Sequence, residues 1–338
     1  MKLDNILETE YKDVMQKDIS TISHTDNSSA IKNLFHQFLK EVHFYSNHAL
    51  TKKNLLAKQM IEAFSHEYEK EDITSCSYRR EDITLASVNI MQELKSGINV
   101  LNGIFLTNLV QVHYEKNQKK YPRRNESYTI ITELSDTLLD GFGYQMNGPS
   151  VHIQGSVGYY TGYEMINGSI ITSGDSFGNL GEHMKGGTIQ TQEALMQVGE
   201  KMENGTIIVS KHCKGPIGMQ MNGGNIIVEK NAHAHIGYSM QGGSIHIKGD
   251  ANRSIGKRMT GGEIIINGSC KTEVGYLMLG GKIHIKKNIG RFVGRAIRGG
   301  EIHIDGTIEG DLPSYQSDFF PNGKIFQNEK QIFPRVEE

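Results

Sequence analysis

The chain has 338 residues, with 36 Lys and Arg against 38 Asp and Glu, so its formal net charge is −2. A charge this close to neutral gives no general attraction to nucleic acid or to anionic membranes. No stretch approaches the roughly 18 to 20 apolar residues of a membrane span, and the first residues are too charged for a secretory signal. We therefore expect a cytoplasmic protein.

Residues 1–120 are predicted to form a helical or mixed N-terminal module. Apolar side chains follow helical spacing after the possible cap Ser28, and a second such run follows Thr51. The two runs predict a helical hairpin and comprise Ile31, Leu34, Phe35, Phe38, Leu39 and Val42, then Leu55, Leu56, Met60, Phe64 and Tyr68. Residues 98–114 and 128–133 are predicted to be extended, and to begin or cap the repeat that follows.

A run of basic residues lies between this module and the repeat: Lys116, Lys119, Lys120, Arg123 and Arg124. No acid interrupts it. We interpret the run as a solvated segment, with docking on an acidic partner or on nucleic acid as the alternative. We do not predict nucleic-acid binding, and we assign residues 121–140 to a linker or a first capping coil.

From Gly143 onward a 19-residue unit recurs nine times, with a single step of 18. Each unit reads G-x-x-M-x-[GN]-G-x-I-x-I, and the methionine is replaced by Ile297 in the last copy. A fixed period of this length is typical of a solenoid, in which the glycines have a structural role at turns. The turn glycines of the later copies are Gly162, Gly181, Gly199, Gly218, Gly237, Gly256, Gly275 and Gly294.

Each I-x-I triplet predicts a short strand with two side chains on one face and one on the other. Since a single unit cannot bury its own apolar face, the copies must stack, with Met and Ile forming inward columns. The sequence therefore predicts a mainly β fold, a single-stranded parallel β-helix of about nine coils over residues 141–310. The spacing excludes a left-handed hexapeptide helix, and the scarcity of Asp excludes calcium-binding nonapeptide repeats.

Two cysteines and the C-terminal residues fit this scheme. Cys213 and Cys270 occupy the same column three copies apart, too far apart for a disulfide, and are predicted to be small packing residues. The period breaks after residue 307, so residues 311–338 are predicted to be a C-terminal cap. In this cap, Phe319-Phe320-Pro321 and Ile325-Phe326 are expected to fold over the last coil.

One segment resembles a known family closely. Residues 249–268 read GDANRSIGKRMTGGEIIING, which is similar to the G-D-A-x-x-x-[VI]-G-x-x-M-x-G-G-x-I-x-I-x-G motif of the GXGXG family of β-helices. This family includes the C-terminal domain of the glutamate synthase large subunit and the structural, β-helical subunit of formylmethanofuran dehydrogenase. The resemblance covers roughly residues 141–310 and implies a right-handed coil and a non-catalytic scaffold for partner subunits. On this basis the chain could belong to an oxidoreductase or formyl-transfer complex without being an enzyme itself.

The middle residue of each I-x-I triplet is predicted to point outward. These residues form a column that includes four isoleucines: His152, Ile171, Gln190, Ile208, Ile227, His246, Ile265, His284 and His303. An apolar strip on a solvent face is typical of a contact surface, so we expect the N-terminal helices, a protein partner or a second copy to cover it. The predicted interaction face comprises Ile208, Ile227, Ile265, His246, His284 and His303.

His284 and His303 are expected to be neighbours about 4.8 Å apart, with no carboxylate or third histidine that the repeat would place beside them. We therefore predict no metal site, no cofactor and no catalytic residue. The alternative is an enzyme with its active site in a groove between the N-terminal module and the outward His/Ile face. In that case His246, His284 or His303 would act with an acid from residues 1–120.

Overall fold

The computed structural model describes residues 80, 83–84, 86–87, 99–121, 127–133, 138–310, 312–313 and 322–334. The chain divides into two compact units, Met1–Ala86 and Ser87–Glu338. In the first unit, Thr84 Oγ1 donates a hydrogen bond of 3.4 Å to the carbonyl oxygen of Arg80, one helical turn earlier. The predicted helical hairpin, residues 31–68, lies outside the described residues. The second unit is mainly β and forms a solenoid of about 10 turns, preceded by a helix.

The described helix and strands of the second unit follow in chain order. They are α1 (Asn99–Lys120), β1 (Ser127–Ile131), β2 (Asn147–Gln154), β3 (Asn167–Thr172), β4 (Thr188–Thr191), β5 (Thr206–Val209), β6 (Asn225–Val228), β7 (Ser244–Ile247), β8 (Ala251–Ile255), β9 (Glu263–Ile266), β10 (Cys270–Val274), β11 (Leu279–Ile285), β12 (Ile289–Val293), β13 (Gly299–Ile304), β14 (Lys324–Gln327) and β15 (Lys330–Phe333).

The strands stack into a long sheet, ordered β1-β2-β3-β4-β5-β6-β7-β9-β11-β13-β14-β15, and a three-stranded sheet, ordered β12-β10-β8. Every pair in the long sheet is parallel except β14 with β15. Because each coil contributes one strand to the long sheet, the chain is a parallel β-solenoid. This confirms the predicted architecture, with about 10 turns where the repeat indicated nine.

The core consists of side chains that recur once per coil. The methionine column from Met146 to Met278 is at most 1 % exposed, and Ile297 closes it at 0 %. Cys213 stacks between Ala194 and Ala232 in a second inward column, and Cys270 pairs with Ala251 and Ile289 in the same column. Both thiols are free and buried. Methionine and cysteine therefore act here as packing residues, as their column positions predict.

The turn glycines are required for two separate reasons. Gly218 has φ of +63°, a conformation that side chains with a Cβ rarely adopt. A Cβ at this position would also lie 2.5 Å from Cδ1 of Ile245, an inward residue of the following coil. The eight glycines from Gly162 to Gly294 share this geometry, with φ between +61° and +70°. The corner therefore excludes any larger residue on both conformational and steric grounds.

Helix α1 corrects the prediction that residues 98–114 are extended. Its β-branched and aromatic content favours a strand locally, but its buried residues Phe105, Leu106, Leu109, Val110 and Val112 follow helical spacing. They close the open end of the first coils, where a strand would leave another unpaired edge. The predicted capping role is therefore realised by a helix. The prediction that residues 128–133 are extended agrees with strand β1.

Side chains of α1 bond to the backbone at this end of the solenoid. Gln111 donates from Nε2 to the carbonyl oxygen of Asn147 at 2.9 Å, and its Oε1 accepts from the N–H of Asn147 at 3.0 Å. Thr107 Oγ1 accepts from the N–H of Gly143 at 2.8 Å. These bonds satisfy backbone groups that a further coil would otherwise pair.

The C-terminal residues continue the ladder before ending it. Ile325 of β14 pairs with Ile302 of β13 and is fully buried, so it extends an inward column. Strand β15 then returns antiparallel to β14. The Ile325-Phe326 pair thus forms a further rung, where the sequence predicted a cover over the last coil. Phe319-Phe320-Pro321 lies outside the described residues.

One coil is a residue shorter than the others, because Gly199 follows Gly181 after 18 positions. The missing residue falls in the corner between Thr191 and Ala194. On one side of this corner Ile189 pairs with Ile207, and on the other Ala194 pairs with Cys213. Both inward columns therefore stay in register across the short coil.

None of the helical segments among the described residues combines the length and apolarity that a membrane crossing requires.

Candidate functional site: the outward column of the long sheet

The pairing register of the long sheet aligns the middle residues of successive strands in one column on its outer face. We call this the outward column. It runs through Thr129, His152, Ile171, Gln190, Ile208, Ile227, His246, Ile265, His284, His303 and Phe326. The nine residues from His152 to His303 are those expected from the sequence. Thr129 and Phe326 were missed because β1 and β14 lie outside the strict 19-residue period.

The six residues of the predicted interaction face lie on six strands of this column. They are Ile208 on β5, Ile227 on β6, His246 on β7, Ile265 on β9, His284 on β11 and His303 on β13. All six side chains are half-buried. Ile208 and Ile227 are direct neighbours, while Ile265 lies between His246 and His284. The column is therefore apolar at its centre and carries imidazoles towards the C-terminal coils.

Each of the two C-terminal histidines of the column contacts a carboxylate. Nε2 of His284 lies 2.9 Å and 3.0 Å from the two carboxylate oxygens of Asp305. Nε2 of His303 lies 2.9 Å from Oε2 of Glu301. This corrects the expectation that no carboxylate lies beside them. Asp305 reaches His284 diagonally from the next strand, and Glu301 lies two residues before His303 on the same face.

The same diagonal contact occurs earlier in the column with a neutral partner. Nε2 of His246 lies 3.0 Å from Oδ1 of Asn267, which follows the next strand at the same offset as Asp305 from His284. The coil geometry therefore provides one recurring place for a histidine partner. The residue in that place determines whether the contact includes a negative charge.

The final three rungs of the column form an aromatic stack. The rings of His284 and His303 are edge to face, with centroids 6.2 Å apart. The rings of His303 and Phe326 are parallel, with centroids 4.6 Å apart. The hydrogen bond from His303 lowers the pKa of Glu301 below its ordinary value, although desolvation by burial opposes this shift. Glu301 therefore stays ionised and holds the ring of His303 in place.

These contacts bear on the chemistry that the face can perform. A carboxylate that binds one ring nitrogen orients the imidazole and supports its use as a base. Within the described part of the chain, no group of three His, Cys, Asp or Glu side chains is arranged to hold a metal ion. The described geometry thus offers two oriented imidazoles beside a half-buried apolar strip.

No protein-family model matches the chain, and no curated protein matches it.

Proposed function

We propose that the protein is a non-catalytic scaffold that binds protein partners through the outward column. The observation that carries this proposal is the half-buried apolar centre of the column, where Ile208 and Ile227 stack beside the polar outward residues Thr206 and Asn225 of the same strands. Burying a fully exposed isoleucine contributes about 1.5 to 3 kcal/mol, so completing the burial of these two half-buried side chains against a partner contributes part of that amount for each. Leaving them in water contributes nothing to the fold, whose core lies on the opposite face of the strands.

We further propose that the solenoid is related to the C-terminal domain of the glutamate synthase large subunit and to the structural, β-helical subunit of formylmethanofuran dehydrogenase. The support is the motif over residues 249–268, which resembles that of the GXGXG family almost residue for residue. The relationship implies a right-handed coil and a protein that organises subunits of a cytoplasmic metabolic complex. Catalysis would then belong to the partners.

The decisive experiment compares partner binding by Ile208→Thr/Ile227→Thr and by the wild-type chain. Threonine keeps the β-branch that suits a strand but removes apolar surface. Ile166→Thr is the matched control, because Ile166 is 44 % exposed and lies outside the outward column. Light scattering first establishes whether the chain self-associates. Subunits captured from the native cell are then purified and titrated against each variant.

We expect the double variant to bind its partner, or a second copy, about tenfold or more weakly, as for residues at the centre of an interface. The control should bind like the wild type, and all three chains should unfold at similar denaturant concentrations. Equal affinities for the double variant and the wild type would refute this role for the column. So would a wild-type chain that stays monomeric and binds none of the purified subunits.

The second candidate is an enzyme that uses the outward histidines. The observation that favours it is the pair of carboxylate contacts, His284 with Asp305 and His303 with Glu301. Mass spectrometry of a metabolite extract incubated with the purified chain tests it. Consumption of a metabolite by the wild type but not by His284→Gln/His303→Gln would support the enzyme, and equal profiles would exclude it under those conditions.

A further inference from the structure

A groove of about 540 Å³ lies on a different side of the coil from the outward column. The Gly-Gly corner separates the two along each coil, as Gly261 and Gly262 do between Thr260 and Ile265. Four successive coils line the groove, contributing Ser239, Gln241, Arg258, Thr260, Leu277, Leu279 and Arg298. Its volume falls within the range of about 300 to 1,000 Å³ that is typical of small-molecule sites.

The lining changes character from coil to coil. Ser239 and Gln241 supply neutral polar groups in one coil, and Arg258 adds a cation in the next. The following coil supplies Leu277 and Leu279, and the coil after that supplies Arg298. Along the axis, the groove therefore presents a cation, an apolar surface and a second cation.

The described lining of the groove carries two cations, Arg258 and Arg298, and no Asp or Glu. Arg258 is exposed and forms no ion pair with any described residue. Lys257 adds a further cation beside it, with Nζ 5.3 Å from the ring centroid of Tyr276 and 6.0 Å from that of Tyr238. These cation–π contacts hold Lys257 in place without neutralising it.

The apolar section of the groove is unusually open. Leu279 is 50 % exposed, and Leu277 beside it is half-buried. An exposed leucine is ordinary when isolated, but two leucines between two arginines form a patch that a ligand with an apolar segment would cover. Arg298 presents five N–H donors, so it can bind an anion in addition to any other contact it makes.

We propose that this groove binds an organic dianion whose two carboxylate or phosphate groups are separated by an apolar segment. One anionic group lies at Arg258 and the other at Arg298. The apolar segment lies over Leu277 and Leu279. Since successive coils rise about 4.8 Å, the two arginines are two coils or about 10 Å apart along the axis. Arg298 also lies two positions further along its coil than Arg258, so the ligand must span about 10 Å or more.

The test compares carboxylates that differ in length and in the number of charges. The leucine methyl groups are labelled with ¹³C, and their NMR shifts are followed while suberate, succinate or octanoate is added. Extended suberate spans about two coil heights with a carboxylate at each end. Succinate has both charges but is too short, and octanoate has the length but one charge. We expect suberate to shift the methyl signals of Leu277 and Leu279 saturably and to bind at least about threefold more tightly than either control.

Charge-removing variants locate the two anionic groups. Arg258→Gln and Arg298→Gln should each weaken suberate binding about threefold to fivefold, which is the range for exposed ion pairs. Arg253→Gln is the matched control, because Arg253 is an exposed arginine of β8 that lies outside the groove. Its affinity for suberate should equal that of the wild type.

Three outcomes would overturn the proposal: no saturable shift with suberate, octanoate binding as tightly as suberate, or equal losses in all three variants. The groove does not include the outward column. Failure of this test therefore leaves the proposed scaffold function unaffected. Failure of the partner-binding test likewise leaves the proposed ligand site unaffected.

Discussion

Phe326 lies flat against the imidazole of His303, with the ring planes 10° apart and the centroids 4.6 Å apart. The contact joins β14, which carries the last residue of the outward column, to β13 of the repeat. It does so although the 19-residue period is interrupted between these two strands. Ile325 and Ile302 form the matching contact on the inward face. The end of the solenoid is thus held from both sides of the sheet.

Phe326→Ala is expected to destabilise β14 and β15 locally. Stacked aromatic pairs contribute about 0.5 to 1.5 kcal/mol beyond the area they bury, so we expect a loss of about 1 kcal/mol or more in the free energy of opening this hairpin. Hydrogen exchange of the amides in residues 324–333 measures it. Phe177→Ala is the control, because Phe177 is 40 % exposed and belongs to a different coil. Unchanged exchange in Phe326→Ala would show that the stack contributes nothing.

His303→Ala should raise the pKa of Glu301 towards its ordinary value of 4.5, because the largest cause of its lowering is the hydrogen bond to His303. In this variant Lys324 and Lys282 still lower the pKa of Glu301 while burial still raises it, so the tested outcome is the upward direction of the change. A carboxyl ¹³C titration by NMR follows the change, with His246→Ala as the control.

The same lowering predicts a pH dependence of stability. A carboxyl group whose pKa falls on folding contributes stability above its unfolded pKa, and this contribution is lost as the pH falls through the folded pKa. The effect of Glu301 should therefore be complete above about pH 4.5 and be lost as the pH falls through the lower pKa of the folded state. Glu301→Gln should lower stability slightly above that pH and leave it unchanged in stronger acid. The opposite dependence would contradict the assignment.

Gly218→Ala tests the two reasons for the corner glycine separately. The variant combines the strain of φ +63° with a contact of 2.5 Å to Cδ1 of Ile245, and we expect a loss of about 3 kcal/mol or more. Ile245→Val removes that Cδ1 and alone costs about 0.5 to 1.5 kcal/mol. Denaturant unfolding of both single variants and the double variant gives the coupling energy. If the steric contact matters, the double variant should be more stable than additivity predicts.

Cys213 should resist thiol reagents in the folded protein. Burial raises the pKa of its thiol to about 12. At pH 8 the reactive thiolate fraction is then roughly a thousandfold smaller than for an unperturbed cysteine. Iodoacetamide labelling followed by peptide mass spectrometry should detect modification at the rate of unfolding. Labelling as fast as that of a short peptide containing the same cysteine would show that the column is open.

The repeat made the solenoid predictable because each column obeys one rule. Period-2 alternation within I-x-I and the fixed step between glycines together determine which residue faces inward and which residues align. The contacts of His284 and His303 with carboxylates were not predictable by the same reasoning. They are diagonal or within one strand, so they depend on side-chain conformation as well as on register.

Helix α1 and strand β14 were mispredicted for a different reason. In α1 the β-branched residues favour a strand locally, and burial at the end of the first coils determines the outcome. In β14 the chain returns to the column 23 positions after Ile302, so the period no longer locates the rung. The groove around Arg258 was also missed, because its residues occupy two positions of the repeat at which the residue type varies from coil to coil.

The short coil after Gly181 indicates how this architecture can change. Because one residue is absent at the corner beside Gln192 without any shift of the strands on either side, corner length and strand register are independent there. A peptide tag or a small domain inserted at this corner would extend from the surface while every column kept its order. The solenoid can therefore acquire new appendages at a corner without altering the faces that it already presents.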